Sequence, residues 1–411
     1  MRRRVAVTGI GFISPIGNDE KTLTENLRKG KCAVDRITLC NTENLDVKIA
    51  CECKDFNSED HFSKKDLKRM DRVNILGIVA ARKAVEDSGI KLDDCDIDRV
   101  SIMVASGVGG LSTIERESFK AFEKGYSRVS PFFIPMIIAN MTSAQIAIDL
   151  NVHGYVSCPV TACASSSTAI LDAYRSIKDG YNDVVIAGGS EASINGLGIG
   201  GFNSMKALYA GEDINRASIP FDRCRSGFVM GEGAAILVLE ELKSAKKRGA
   251  KIYGEIVGSS MTCDAGHITS PNENGKFAAL AMKNTVLENG NKLEDVDYIN
   301  AHGTSTPLND KYETKAIKRV FGDNAYSLNV SSTKSMTGHL LGASGSLEAI
   351  ITLIAIKNSF IPPTINFLEP DPECDLNITP NIAVNKKIKL AISNSLGFGG
   401  HNVSIAFKGC E

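Results

Sequence analysis

The two halves of this chain read as the same succession of elements, which limits the fold more than any single motif does. Residues 5–8, 101–105 and 184–187 are short apolar runs of the buried-strand kind, with segments of helical period between them. Strand 252–258 echoes the opening strand. Tyr298-Ile299-Asn300-Ala301 before a Gly/Thr turn echoes Ile102-Met103-Val104-Ala105 before Ser106-Gly107. Residues 330–356 run strand, small-residue turn, helix, as do residues 155–178. Ala391-Ile392-Ser393 before a glycine cluster echoes Val185-Ile186-Ala187 before Gly188-Gly189. The likeness is in element order, not residue identity. Alternating strands and helices imply an α/β architecture, and 411 residues are too many for one ordinary core. A duplication with its boundary near residue 250 accounts for both. It gives halves 1–250 and 251–411, with the Lys/Ala-rich helix 240–249 carrying the chain across.

Local signals add detail. The spacing predicts a helix over 67–88 ended by Gly89. Ser130-Pro131 reads as a helix start, with Ser130 as cap. Strand 155–158 leads into a helix over 164–178. The stripe of that helix is Ala169, Ile170, Ala173, Tyr174 and Ile177, and Gly180 stops it.

Several function classes fall away. A net charge of −1 provides no field to attract nucleic acid or a membrane, so an acidic partner must meet a local patch. No apolar run is long enough to span a bilayer. Met1-Arg2-Arg3-Arg4 runs straight into the first expected strand, so no secretory leader is expected. The 11 cysteines are therefore expected as reduced thiols of a cytoplasmic protein. Cys51 and Cys53 have no matching second pair, so no zinc site is expected. Gly9-Ile10-Gly11 misplaces the third glycine of a dinucleotide loop and is followed by Pro15. Residues 196–201 lack the Lys-Ser/Thr of a phosphate loop.

What remains is thiol chemistry. Cys163, in Thr161-Ala162-Cys163-Ala164-Ser165-Ser166-Ser167, is placed at a helix N-terminus, where free N–H groups favour a thiolate. That contribution alone leaves the thiol partly ionised, so a nearby imidazole is expected to complete its activation. Two of the six histidines lie in Gly/Ser/Thr-rich turns. His302 is in Asn300-Ala301-His302-Gly303-Thr304-Ser305-Thr306, and His339 ends Lys334-Ser335-Met336-Thr337-Gly338-His339. Lys334 and Glu348 would be costly to bury unless paired, and could hold the site's charge and geometry. Asn394-Ser395-Leu396-Gly397-Phe398-Gly399-Gly400-His401-Asn402 offers a tight turn whose exposed N–H could join that of Cys163 as an oxyanion hole. His401 is read as structural.

These motifs, in this order, resemble the β-ketoacyl-acyl carrier protein synthases, and among them the elongating synthase II of bacterial type II fatty acid synthesis. The resemblance spans the chain. It implies the thiolase-like duplicated five-layer αβαβα fold and a homodimer. It also implies acylation of Cys163, with decarboxylation of malonyl-acyl carrier protein assisted by His302 and His339. Lys334 and Glu348 match the supporting pair, Phe398 the gate, and Thr304 and Thr306 the contacts to the phosphopantetheine arm. The acyl tunnel maps to Val108, Gly198, Phe202 and Leu341, with Phe133 and Ile134 from the partner subunit. Val108 is smaller than the isoleucine common there, implying a roomier tunnel. Lys65, Lys68, Arg69 and Lys206 match the basic patch that meets acyl carrier protein. No metal or bound cofactor is implied, since phosphopantetheine arrives on the substrates; a structural monovalent cation is left open. Ser226 stands where the family has aspartate. Synthase I, a polyketide-type ketosynthase and a chain-length-factor-like partner are the alternatives, and Cys163 disfavours the last.

Overall fold

The computed structural model describes residues 3–410; Met1 and Arg2 of the basic opening run, and Glu411, lie outside the described residues. A ten-stranded sheet carries the fold. Its first-half strands are β1 (Val5–Ile13), β2 (Val100–Ala105), β3 (Val156–Ser157), β4 (Val184–Glu191) and β5 (Gly233–Glu241). Those of the second half are β6 (Gly254–Cys263), β7 (Val296–Asn300), β8 (Asn329–Ser331), β9 (Leu390–Gly397) and β10 (His401–Lys408). The order across the sheet is β8-β7-β9-β10-β6-β1-β5-β4-β2-β3.

Each half uses the same pairing scheme. Its first strand pairs antiparallel with its fifth and the fifth antiparallel with its fourth. The fourth then pairs parallel with its second, and the second parallel with its third. The halves meet where Val5, Ala6 and Val7 pair with Ile256, Glu255 and Gly254. The repeated element order of the sequence is thus a repeated sheet topology.

Six helices complete the layers: α1 (Arg72–Ser88), α2 (Met141–Leu150), α3 (Ser165–Lys178), α4 (Lys276–Leu287), α5 (Pro307–Phe321) and α6 (Ser344–Asn358). Strand side chains alternate between faces, and the cores follow that alternation. Ala235, Leu237 and Leu239 of β5 share a central core with α3, α6 and Val403, Ile405 and Phe407 of β10. Ala234, Ile236 and Val238 face the other way, onto α1 and α2. Ile299 and Ile392 pack on α4 and α5. The layers run helix, sheet, helix, sheet, helix, the thiolase-like αβαβα arrangement.

In the middle layer α6 is buried all round because both its faces meet a sheet, whereas α3 keeps Asp172 and Arg175 exposed. Every residue from Ser344 to Ile356 is buried. Small residues let the central helices touch: a Cβ at Gly345 would lie 2.0 Å from Ser167 Oγ. Gly9 and Gly11 have a packing role of the same kind. Added Cβ atoms there would come within 2.3 Å of Ala84 O and 2.2 Å of Ala80 O on α1.

Several boundaries differ from the sequence reading. The helix expected over 67–88 is broken. A turn at Lys64–Leu67 precedes α1, which starts at Arg72 because Asp71 and Asn74 form a capping box. Ser130 does not cap a helix. Its Oγ accepts from the Phe132 N–H at 3.2 Å, and the five-residue helix Phe133–Ile137 follows. Strand 155–158 shrinks to the edge strand β3. Helix 240–249 shrinks to Leu242–Lys247, since Glu240 and Glu241 belong to β5. Among the described residues no helix is long and apolar enough to cross a membrane.

Candidate active site

Cys163 sits in the 3₁₀ turn Ala162–Ala164 that leads into α3. Ala162 has φ of 52°, a left-handed conformation that costs a non-glycine residue energy and is held by its surroundings. Ser165 Oγ donates to Ala162 O at 2.6 Å and accepts from the Thr161 N–H at 2.9 Å. On the other side lies the turn after β9. A Cβ at Gly397 would fall 2.5 Å from Thr161 O and 3.3 Å from Cys163 N, so only glycine allows this approach.

His302 follows β7, and its backbone is fixed by a buried carboxylate. The N–H groups of His302 and Gly303 donate to the two oxygens of Glu313 on α5, each at 2.8 Å. Lys334 Nζ reaches His302 Nδ1 at 3.4 Å and is salt-bridged to Glu348 on α6. An ammonium can only donate, so Nδ1 accepts and the ring proton lies on Nε2. His339 donates its backbone N–H to Val229 O at 2.8 Å, and its Nδ1 lies 2.8 Å from Ser344 Oγ. The imidazoles meet edge to face with centroids 5.3 Å apart.

Burial decides the protonation states. It pushes the Cys163 thiol up to about 12, even though the Lys334 charge and the N–H groups of Cys163 and Phe398 act to lower it. It holds His302 and His339 well below the usual imidazole range, with the Lys334 charge acting in the same sense. The thiolate expected from the helix N-terminus is therefore not the resting form, because desolvation outweighs the helix end. No imidazolium is available to activate it. The site holds a neutral thiol beside two neutral imidazoles.

Cys163, His302, His339, Phe398, Thr304 and Thr306 line one cavity of about 360 Å³. Thr304 and Thr306 hydroxyls are 2.9 Å apart. Arg225 holds their turn by donating to the carbonyls of Thr306 and Pro307 at 3.1 and 3.0 Å, whereas Ser226 points to the exterior and leaves this contact intact. Phe202 lines the same cavity and its ring lies 6.4 Å from that of Phe398. Leu341 packs with Phe202 in the apolar cluster behind it. Val108, Gly198, Phe133 and Ile134 lie outside the cavity wall, and Ile134 is 57% exposed. Lys206 stands at the mouth. Lys65, Lys68 and Arg69 are exposed, without a carboxylate partner among the described residues, and Arg69 stacks on Phe132 at 4.8 Å. His401 opens β10 opposite Gly397.

Sequence reasoning missed Glu313, Ser344 and Glu191. Glu313 lies on the buried face of α5. Ser344 belongs to Gly342-Ala343-Ser344-Gly345-Ser346, which mirrors the small-residue run after Cys163 and could have been found by the repeat. Beneath the His302 turn, Asn300 Oδ1, Glu348 Oε2 and Ser393 Oγ are buried without a hydrogen-bond partner. With Glu313 and Asn394 nearby, this is a hard oxygen set that fits a monovalent cation.

Models of the beta-ketoacyl synthase N-terminal domain and of the beta-ketoacyl synthase C-terminal domain match residues 2–245 and 253–368. The 3-oxoacyl-[acyl-carrier-protein] synthase 2 of Staphylococcus aureus (strain N315) is 50% identical over 409 residues, 100% of this chain and 99% of that protein. The solved ishigamide ketosynthase/chain length factor superposes with a TM-score of 0.94 at 35% identity, covering 100% of both chains. A type II polyketide ketosynthase solved with its acyl-carrier protein, AntDE:AntF, gives 0.93 at 29% identity, again covering 100% of both. With its fold, its cysteine and two histidines in one cavity, and matches running nearly end to end, the chain belongs to the beta-ketoacyl synthase family.

Proposed function

We propose that this chain is an elongating β-ketoacyl-acyl carrier protein synthase of fatty acid biosynthesis. The observation that carries the reading is one thiol and two buried imidazoles sharing a cavity, closed by a glycine-rich turn whose N–H bears on the sulfur. In the first step the Cys163 sulfur bonds to the acyl carbon of an acyl-acyl carrier protein. The carbon–sulfur bond to phosphopantetheine breaks, and the thiol proton passes to the departing sulfur. The N–H groups of Cys163 and Phe398 receive the oxyanion. In the second step malonyl-acyl carrier protein loses carbon dioxide. The electron pair left on its C2 forms the new carbon–carbon bond, and Cys163 leaves as a thiolate that takes a proton from water. The His302 Nε2–H, set by the Lys334 ammonium behind it, and the His339 ring, held by Ser344, stabilise the enolate oxygen.

Asn300, Glu313, Glu348, Ser393 and Asn394 would hold a monovalent cation under the His302 turn, fixing its backbone; the condensation itself uses no bound cofactor. The partner is acyl carrier protein. A second copy of the chain would cover the free edge of β3 and the exposed Ile134. The cytoplasm fits the reduced thiols.

The test is mass spectrometry after incubation with myristoyl-acyl carrier protein and then malonyl-acyl carrier protein. A hydroxylamine-sensitive adduct on Cys163, released as a β-ketoacyl product two carbons longer, is expected. Hydrolysis of the adduct would point to a thioesterase, and no adduct to a non-catalytic partner.

Reversing charge at Lys65 and Lys68 is expected to raise KM for acyl carrier protein substrates about tenfold while sparing small thioesters. Equal losses on both substrate types would remove the patch from the docking surface.

A further inference from the structure

The most deeply buried carboxylate near Cys163 has no part in the steps above. Glu191, at the end of β4, is fully buried and has no ion pair among the described residues. Burial pushes its carboxyl up to about 7, although four donors oppose this. One oxygen accepts from the N–H groups of Gly107 at 2.8 Å and Gly342 at 3.0 Å. The other accepts from Ser106 Oγ at 2.9 Å and the Val108 N–H at 3.4 Å. A buried carboxylate without a counter-ion is costly unless its hydrogen bonds are filled, and here they join two turns from opposite halves of the chain.

Those turns flank Cys163. A Cβ at Gly107 would lie 3.4 Å from both Ala162 O and Gly342 N, and one at Gly342 would lie 2.3 Å from Gly107 N. The three backbones are therefore in contact around the strained Ala162. Leu341, next to Gly342, is itself left-handed at φ of 48°. The histidine side of the site is anchored separately, by Glu313, Lys334 and Ser344. Two buried glutamates thus divide the work: Glu313 holds the His302 turn, and Glu191 holds the turns carrying Val108 and Leu341 against the turn carrying Cys163.

We propose that Glu191 is a positioning residue for acylation, setting the turn that carries Cys163 in register with the turns that carry Val108 and Leu341. This rests on the synthase reading above. The test compares two rates by mass spectrometry: acylation by myristoyl-acyl carrier protein, and condensation of isolated, pre-acylated enzyme with malonyl-acyl carrier protein. Glu191→Gln keeps the shape but replaces one acceptor oxygen with an amide that faces N–H groups. Its acylation is expected to fall about 10- to 100-fold, with condensation from the acylated enzyme within about threefold of wild type. Ser106→Ala is the milder variant and decides the matter if the Gln variant is insoluble. Ser106 Oγ also accepts from the Gly109 N–H at 2.9 Å, so a fall in acylation of about three- to tenfold is expected. Unchanged acylation, or equal falls in both steps, would overturn the assignment. A wild-type protein that forms no β-ketoacyl product would instead remove the synthase reading.

Discussion

Replacing Cys163 with alanine is expected to abolish the acyl-enzyme adduct and to lower elongation on the order of 10⁴-fold or more. No other group can take over. The two imidazoles are buried against Lys334 and Ser344, off the helix end that carries Cys163, and the serines that follow Cys163 are buried in α3. Stability should change by no more than about 1 kcal/mol. The side chain loses one atom at the cavity wall, between two alanines that already pack in the turn. Mass spectrometry and a melting curve on the same sample separate the two quantities. An adduct that persists on the variant would move the chemistry to another thiol.

The protonation states add a pH signature. With the thiol pushed up to about 12 by burial, its thiolate fraction keeps growing with pH throughout the accessible range. Alkylation of Cys163 by iodoacetamide is expected to speed up roughly tenfold per pH unit to at least about pH 10, with no plateau. A cysteine hydrolase, whose thiolate is paired with an imidazolium, would plateau near neutrality. A plateau there would mean that the cavity is wetter or more positive than its buried walls imply.

The chemistry of this site was legible where it depends on rare residues in unusual settings. Cys163, His302 and His339 sit in small-residue turns that only make sense as shaped backbone, and the structure brings all three to one cavity. Element order was legible for a similar reason: strand–turn–helix periods repeat even where residues do not. What could not be read is whatever depends on desolvation. A helix N-terminus after Cys163 pointed to a thiolate, but the sign of the effect is set by burial, which no local pattern reports. Glu191 and Glu313 escaped because a carboxylate that accepts backbone N–H groups looks the same in sequence as a solvated one. Lys334 and Glu348 were different, because a lysine and a glutamate beside catalytic turns must pair if buried.

Lys334 also allows structural and chemical roles to be separated. Its ammonium is buried, salt-bridged to Glu348 and 3.4 Å from His302 Nδ1. Lys334→Met keeps the length of the side chain and removes the charge. Glu348, which burial already pushes up to about 7 despite this ion pair, then loses its only salt-bridge partner among the described residues, and a loss of about 3–5 kcal/mol is expected. Adding Glu348→Gln removes the second charge and should restore stability to within about 1 kcal/mol of wild type. Condensation should not return with it. His302 has lost the donor that keeps its proton on Nε2, so turnover of pre-acylated enzyme should remain down about 100-fold. Melting curves and single-turnover condensation on the two variants test both halves. If the double variant regained condensation together with stability, Lys334 would be a structural counter-ion only, and the tautomer of His302 would have to be set by something else.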